Sequence, residues 1–254
     1  MKKITLLLAY LTVASAFPRQ DRIVGGTITS IQTYPFSAVL LFSRNNISFR
    51  QNCGGSVINN RSMLTAAHCL NHGNINLNNF RVRVGSTNAS SGGSVHNSAL
   101  RILHPQYNQG TLNNDIALLR VSTAFQLGTT VRPAAIIGQN VVIPDNTLIW
   151  ATGWGWTTPS GNNPSEQLRH VQVRVVPQQR CQRAYTGFPI TAAMICAGWD
   201  QPGRGSCQGD SGSPIVHNNV VIGATSFGQR CADPNFPTVY ARVAHFTNWI
   251  RSNA

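Results

Sequence analysis

Lysine disappears after residue 3, and acid is scarce throughout. Asp and Glu number seven in 254 residues, and none lies between Ile23 and Asn114. A hard cation such as calcium needs carboxylate oxygens, so no calcium loop is expected in that stretch. No apolar run is long enough to cross a bilayer. The cysteines lack the paired C-x-x-C spacing of zinc sites. Basic residues form no run beyond Lys2-Lys3 and no aromatic stacking motif accompanies them. The formal net charge of +13 is therefore read as a diffuse solvated surface, not a nucleic-acid site. Internal repeats and low-complexity linkers are missing too, as is helical periodicity until the C-terminal end.

What is present begins with MKKITLLLAYLTVASA. Two lysines, an apolar run from Ile4 to Val13 and the small residues Ala14-Ser15-Ala16 have the build of a secretory signal peptide over 1–16. Secretion and no membrane partner are the expectations. Every basic side chain after Lys3 is arginine, which keeps its charge above pH 10, where lysine begins to lose it; that choice suits an alkaline fluid. Cys53, Cys69, Cys181, Cys196, Cys207 and Cys231 are even in number and widely spaced. In an oxidising compartment they imply three disulfides, with fifteen pairings open on spacing alone. Asn46, Asn60 and Asn88 head glycosylation sequons.

The remaining residues suffice for one large all-β unit or two small ones. Runs such as Phe80–Val84 (FRVRV), Gln172–Val176 (QVRVV) and Val220–Ile222 are β-branched and partly alternating. Gly, Asn, Pro and Ser clusters separate them as turns. Val243, Phe246, Trp249 and Ile250 fall at helical spacing, which predicts one short amphipathic helix at the end. The expected architecture is a disulfide-stapled β sandwich or barrel.

Four stretches read together point to chemistry. They are Arg22-Ile-Val-Gly-Gly26, Thr65-Ala-Ala-His-Cys69, Asn114-Asp-Ile-Ala-Leu-Leu119 and Cys207-Gln-Gly-Asp-Ser-Gly-Ser-Pro214. In this order the chain resembles the chymotrypsin-like serine proteases from Ile23 to its C-terminal helix. In detail it is most similar to digestive trypsin-like enzymes of moth and butterfly larvae. The resemblance implies two six-stranded antiparallel β-barrels with the site in their cleft. The first would cover about 23–132 and the second about 133–254, with His68 and Asp115 on the first and Ser211 on the second. It implies a secreted, monomeric digestive endopeptidase of the gut lumen that needs no cofactor or metal. Its partners would be protein and peptide substrates and protein inhibitors.

The same resemblance assigns roles. A serine hydroxyl is a weak nucleophile until a base takes its proton. Ser211 would attack the scissile carbonyl, His68 would relay the proton, and Asp115 would fix the imidazole tautomer. Backbone N–H groups of Gly209 and Ser211 would form the oxyanion hole. Residues 17–22 would be an activation propeptide. Cleavage after Arg22 would free the Ile23 ammonium to pair with Asp210. The implied disulfides are Cys53–Cys69, Cys181–Cys196 and Cys207–Cys231. The remaining histidines (72, 96, 104, 170, 217 and 245) are expected at the surface or in packing.

Two positions depart from the family pattern. Ser213 stands where glycine is usual in Gly-Asp-Ser-Gly-Gly-Pro, and Ser226-Phe227-Gly228 replaces Ser-Trp-Gly. More consequential is the substrate pocket, assigned to Gly205, Ser206, Ser226, Phe227, Gly228 and Thr238. Trypsin-like relatives carry an aspartate six residues before the nucleophile, where this chain has Gly205. Gly228 leaves the entrance open and Thr238 shortens the slot. The expected cleavage is therefore after uncharged apolar residues. Two alternatives stand beside it: cleavage after Arg or Lys through a displaced acid (Asp200 or Asp233), or a non-catalytic cationic homologue acting in binding or immunity. Selection of acidic substrates by Arg204 ranks below the displaced acid, because its neighbours predict an outward-facing loop.

Overall fold

The structure, a computed structural model, describes residues 23–71, 73, 75–161 and 164–254. The expected signal peptide and propeptide, Arg22 included, lie outside the described residues, as does His72.

Alternation builds the first barrel. Strands β2 (Ser37–Phe42), β3 (Arg50–Val57), β4 (Ser62–Thr65), β5 (Phe80–Val84), β6 (Ser94–Leu103) and β7 (Ala117–Val121) follow the two-residue β1 (Thr27–Ile28). In β5, Phe80, Val82 and Val84 point inward and are buried, while Arg81 and Arg83 are half-exposed. Burying each such apolar side chain stabilises by about 1.5–3 kcal/mol. Arg81 lies over the Phe49 ring at 3.9 Å, so its stem and charge cover the barrel wall. The six strands close in the order β2-β3-β4-β7-β6-β5, every pairing antiparallel.

The second barrel uses β9 (Leu148–Gly153), β10 (Arg169–Val176), β11 (Met194–Gly198), β12 (Pro214–His217), β13 (Val220–Phe227) and β14 (Thr238–Arg242). They run in the ring β10-β11-β14-β13-β12-β9, closed by the β9–β10 pairing. Val171, Val173 and Val175 of β10 face its core. Two short strands are added outside the ring: β8 (Ala135–Ile136), parallel to β13, and β1, antiparallel to β10. Residues 24–28 therefore pair with the second barrel, not the first. Ile23 is fully buried, and Val24 bridges Gly205.

Helix α2 (Val243–Asn253) buries Val243, Ala244, Phe246, Thr247 and Ile250. Trp249 stays half-buried, its ring 5.1 Å from that of His104 on the first barrel. Arg120 of β7 donates to the Asn253 carbonyl at 2.7 Å. The helix thus ties the barrels together. A second helix, α1 (Gln178–Ala184), carries no apolar stripe; its one buried residue is Cys181, bonded to Cys196. A helix held by a disulfide leaves no 3.6-residue pattern to read. No helix among the described residues is long and apolar enough to cross a membrane.

Candidate active site

Both barrels contribute to a hydrogen-bonded corner. His68 follows β4 in a 3-10 turn (Ala67–Cys69), pinned by the Cys53–Cys69 disulfide. Asp115 lies just before β7, after Asn114 with φ 54°. That left-handed residue is held by its side-chain amide, which donates to the Gln106 carbonyl at 2.9 Å; asparagine tolerates this conformation better than most residues. The Asp115 carboxylate is buried and accepts three bonds. Oδ1 accepts from the His68 backbone N–H at 2.8 Å, and Oδ2 from His68 Nδ1 at 2.7 Å and from Ser226 Oγ at 2.5 Å. A carboxylate oxygen only accepts, so Nδ1 carries a proton, and in the neutral ring Nε2 then presents its lone pair. The imidazole is tied down on one side and about a quarter exposed.

Ser211 sits in the turn between β11 and β12. Its carbonyl accepts from Gly54 N on β3 at 2.8 Å, and the next N–H, of Gly212, donates to Thr225 of β13 at 2.7 Å. Gly212 has φ 77°, and a Cβ there would come within 2.1 Å of Thr65 Oγ1 and 2.5 Å of the Gly54 carbonyl. Only glycine lets the turn seat between the barrels. Gly209 also has positive φ, 88°. Ser211 and His68 line one cavity. The Ser211 hydroxyl makes no hydrogen bond among the described residues, and His68 Nε2 lies 3.7 Å from Cys69 Sγ. Such catalytic bonds are commonly long before substrate binds.

Asp210 points the other way, into the second barrel, and is fully buried. Gly155 N and Cys207 N donate to it at 2.7 and 2.9 Å. Gly153 and Gly155 make the space, since a Cβ on either would come within 2.5 Å of the carboxylate. Burial pushes the carboxyl up to about 7, with the two N–H bonds opposing. Among the described residues no cation pairs with it.

The cavity beside Ser211 holds about 200 Å³ and is walled by Ser206, Thr225, Ser226, Phe227, Gly228, Thr238 and the Cys207–Cys231 disulfide. No carboxylate lines it. Asp200 pairs instead with Arg180 at 2.8 Å, and Asp233 lies 3.7 Å from Arg230. Gly205 is buried behind the wall; a Cβ there would sit 3.3 Å from Ala232 Cα. Thr238 is buried, and its Oγ1 would be 3.9 Å from a Cβ on Gly228. Ser206 Oγ bonds the Tyr240 hydroxyl at 2.9 Å, which commits the hydroxyl that follows Gly205 in sequence. Arg204 is exposed and lies over Trp199 at 4.6 Å, away from the cavity.

Two features escape a reading of the sequence. Ser226, assigned to the pocket, also holds Asp115. Arg230 lines the cavity, yet nothing in Gln-Arg-Cys marks it. One tempting cluster dissolves: donor atoms of Cys53, His68 and Cys69 lie within 4.8 Å of one another. Both sulfurs are spent in a disulfide, and only a thiolate ligates metal well. His96 is buried, with its ring nitrogens bonded to Ser94 and Thr123, and His170 stacks on Trp150 at 4.3 Å.

Comparison with known proteins agrees with this geometry. The sequence profile of the Trypsin family matches residues 23–250. "Trypsin, alkaline B" of Manduca sexta is 50% identical over 98% of this chain and 97% of its own. "Trypsin CFT-1" of Choristoneura fumiferana is 50% identical over 99% and 100% respectively. "Achelase-1" of Lonomia achelous is 45% identical over 91% and 100%. With two antiparallel barrels, the corner between them and a match over nearly its whole length, the chain belongs to the trypsin family of serine proteases.

Proposed function

We propose that the protein is a secreted digestive endopeptidase in which Ser211 is the nucleophile, His68 the general base and Asp115 the residue that fixes the imidazole tautomer. The carrying observation is the Asp115 carboxylate bonded to His68 Nδ1, with Ser211 lining the cavity that His68 also lines. Ser211 Oγ forms a bond to the scissile carbonyl carbon while its proton passes to Nε2. The electron pair moves to the carbonyl oxygen, which the N–H groups of Gly209 and Ser211 stabilise. The carbonyl re-forms as the C–N bond breaks, and Nε2 returns its proton to the leaving amine. Water, activated by the same imidazole, then releases the acyl group from Ser211.

Activation is proposed at the Arg22–Ile23 bond. Asp210, buried without a cation among the described residues, is suited to receive the ammonium that cleavage creates. The leader over 1–16 supports secretion. Arginine as the sole cation after Lys3 supports an alkaline gut lumen, as does the word "alkaline" in the name of a relative. Protein substrates and protein inhibitors fit the open cavity, and a monomer suffices for every residue of the site.

For the side chain before the cut bond, the proposal is an uncharged apolar residue (Leu, Met, Ala or Phe). A cavity of about 200 Å³ without a carboxylate supports this. A guanidinium or ammonium entering it would be desolvated without a partner, which costs several kcal/mol. Cleavage after Arg or Lys remains the second reading, because the relatives are named trypsins. Labelling by an organophosphonate serine probe tests the catalytic reading itself. Activated protein should be labelled on Ser211, and Ser211→Ala should not. An unlabelled, correctly cleaved protein would mark a non-catalytic homologue.

A further inference from the structure

The Ser211 cavity shares a wall with a second, larger hollow of about 900 Å³, which is flanked by Trp156, Pro159, Gly203 and Asn235. Gln208, Arg230 and Cys231 line both spaces. Arg230 is the sole formally charged side chain on that common wall. Its side chain is 71% exposed, and its guanidinium makes no hydrogen bond among the described residues. Two weak tethers hold one side of it: Asp233 Oδ2 at 3.7 Å and the Phe236 ring at 5.8 Å. The spare N–H groups of the planar fork are left to solvent at the mouth of the site.

We propose that Arg230 is a specificity-determining residue that recognises carboxylate side chains (Asp or Glu) of the peptide close to the bond being cut. The proposal rests on the reading of Ser211 as nucleophile. Three observations carry it. A guanidinium fork matches a carboxylate with two parallel N–H bonds, and Arg230 holds no such partner. Of the other nearby charges among the described residues, Asp233 alone engages Arg230, at 3.7 Å on one side of the fork. Arg204 is occupied by Trp199, Asp200 is paired with Arg180, and Asp210 is buried. From Ile23 onward, 16 arginines face six acids, so the field around the cleft favours an anionic chain. A basic side chain at the same mouth meets a like charge. Arg230 and Gly205 therefore act in one direction, the first by repulsion and the second by offering no counter-charge.

The test uses the activated full-length enzyme and matched peptides that differ only in Glu or Gln at one position, from four residues before the cut to two after it. At one position or more, wild type should cleave the Glu peptide about two- to fivefold faster in kcat/KM, the range expected of an exposed ion pair. The ratio should fall to about one in Arg230→Gln and in high salt; because each ratio is taken within one enzyme, a general change in activity cancels. A preference at the residue just before the cut puts the carboxylate in the small cavity; one elsewhere puts it in the neighbouring hollow. An identical Glu/Gln ratio in wild type and Arg230→Gln at low salt would overturn the proposal. A wild type inert toward every peptide would overturn the Ser211 reading and this proposal with it.

Discussion

The corner around Asp115 and the cavity beside Ser211, with Gly205 behind its wall, lie side by side and are built on opposite principles. At Asp115 a buried carboxylate accepts three short bonds from two barrels, so position and tautomer are over-determined. At the cavity, Gly205 brings no side chain, Ser206 Oγ bonds the Tyr240 hydroxyl, and the space is small and lined by no carboxylate among the described residues. The proposed machinery for breaking an amide and the proposed means of choosing which amide are thus separable. The first depends on hydrogen-bond geometry that no neighbour can replace. The second depends on a few atoms whose charge can change without disturbing it.

The largest effect should come from the geometric side. Asp115→Asn should keep the fold yet lower kcat about 10,000-fold, the cost of the reversed tautomer in this family. Single-turnover kinetics with a check of folding would measure it. A loss under tenfold would remove Asp115 from its proposed role. Ser226→Ala should cost far less, because Asp115 keeps both bonds to His68.

Next in size is a pH effect at Asp210. In the uncleaved chain burial lifts its carboxyl from 3.8 to about 7. The unfolded chain then ionises first, so stability should fall by a few kcal/mol as pH rises from about 4 to 7. Proposed cleavage supplies the Ile23 ammonium and should abolish that slope. The ion pair raises the ammonium pKa. Its contribution is full below the ordinary amine value of about 8 and fades as pH climbs through the raised one. Denaturant unfolding of Ser211→Ala protein, cleaved and uncleaved, across this range would check the contrast. Activity of cleaved wild type should persist above about pH 9.

On the selective side, Gly205→Asp should raise cleavage after Arg relative to Leu by about 10- to 100-fold, the worth of a hydrogen bond to a charged group. The shift should stay incomplete while Thr238 shortens the cavity and Arg230 guards its mouth. Paired substrates would show it, with a melting curve to check the tight fit against Ala232. Smallest is Ser213→Ala. The Ser213 hydroxyl is buried with no hydrogen-bond partner among the described residues, where glycine is usual in the family. Removing it should stabilise the protein by about 1 kcal/mol, read as a higher denaturation midpoint.

Much of the fold was legible because alternation survives in the chain. Phe80–Val84 and Gln172–Val176 are strands as expected, and Val243, Phe246 and Ile250 do face the core. Elements without an apolar pattern were not. Two-residue β1 and β8 are defined only by their partners, and α1 is held by a disulfide. His68, Asp115 and Ser211 stand in motifs, so local sequence announces them. Ser226 bonds Asp115 across 111 residues, and Arg230 lines the cavity beside Cys231, which is bridged to Cys207. Contacts made by barrel closure leave no local signal.

The cavity beside Ser211 is proposed to select uncharged side chains, although the relatives from Manduca sexta and Choristoneura fumiferana are named trypsins. The most direct test is the activated wild-type enzyme on peptides identical except for the residue before the cut. Higher kcat/KM with Leu, Ala or Phe than with Arg or Lys is the predicted result; faster cleavage after Arg than after all three apolar residues would contradict it.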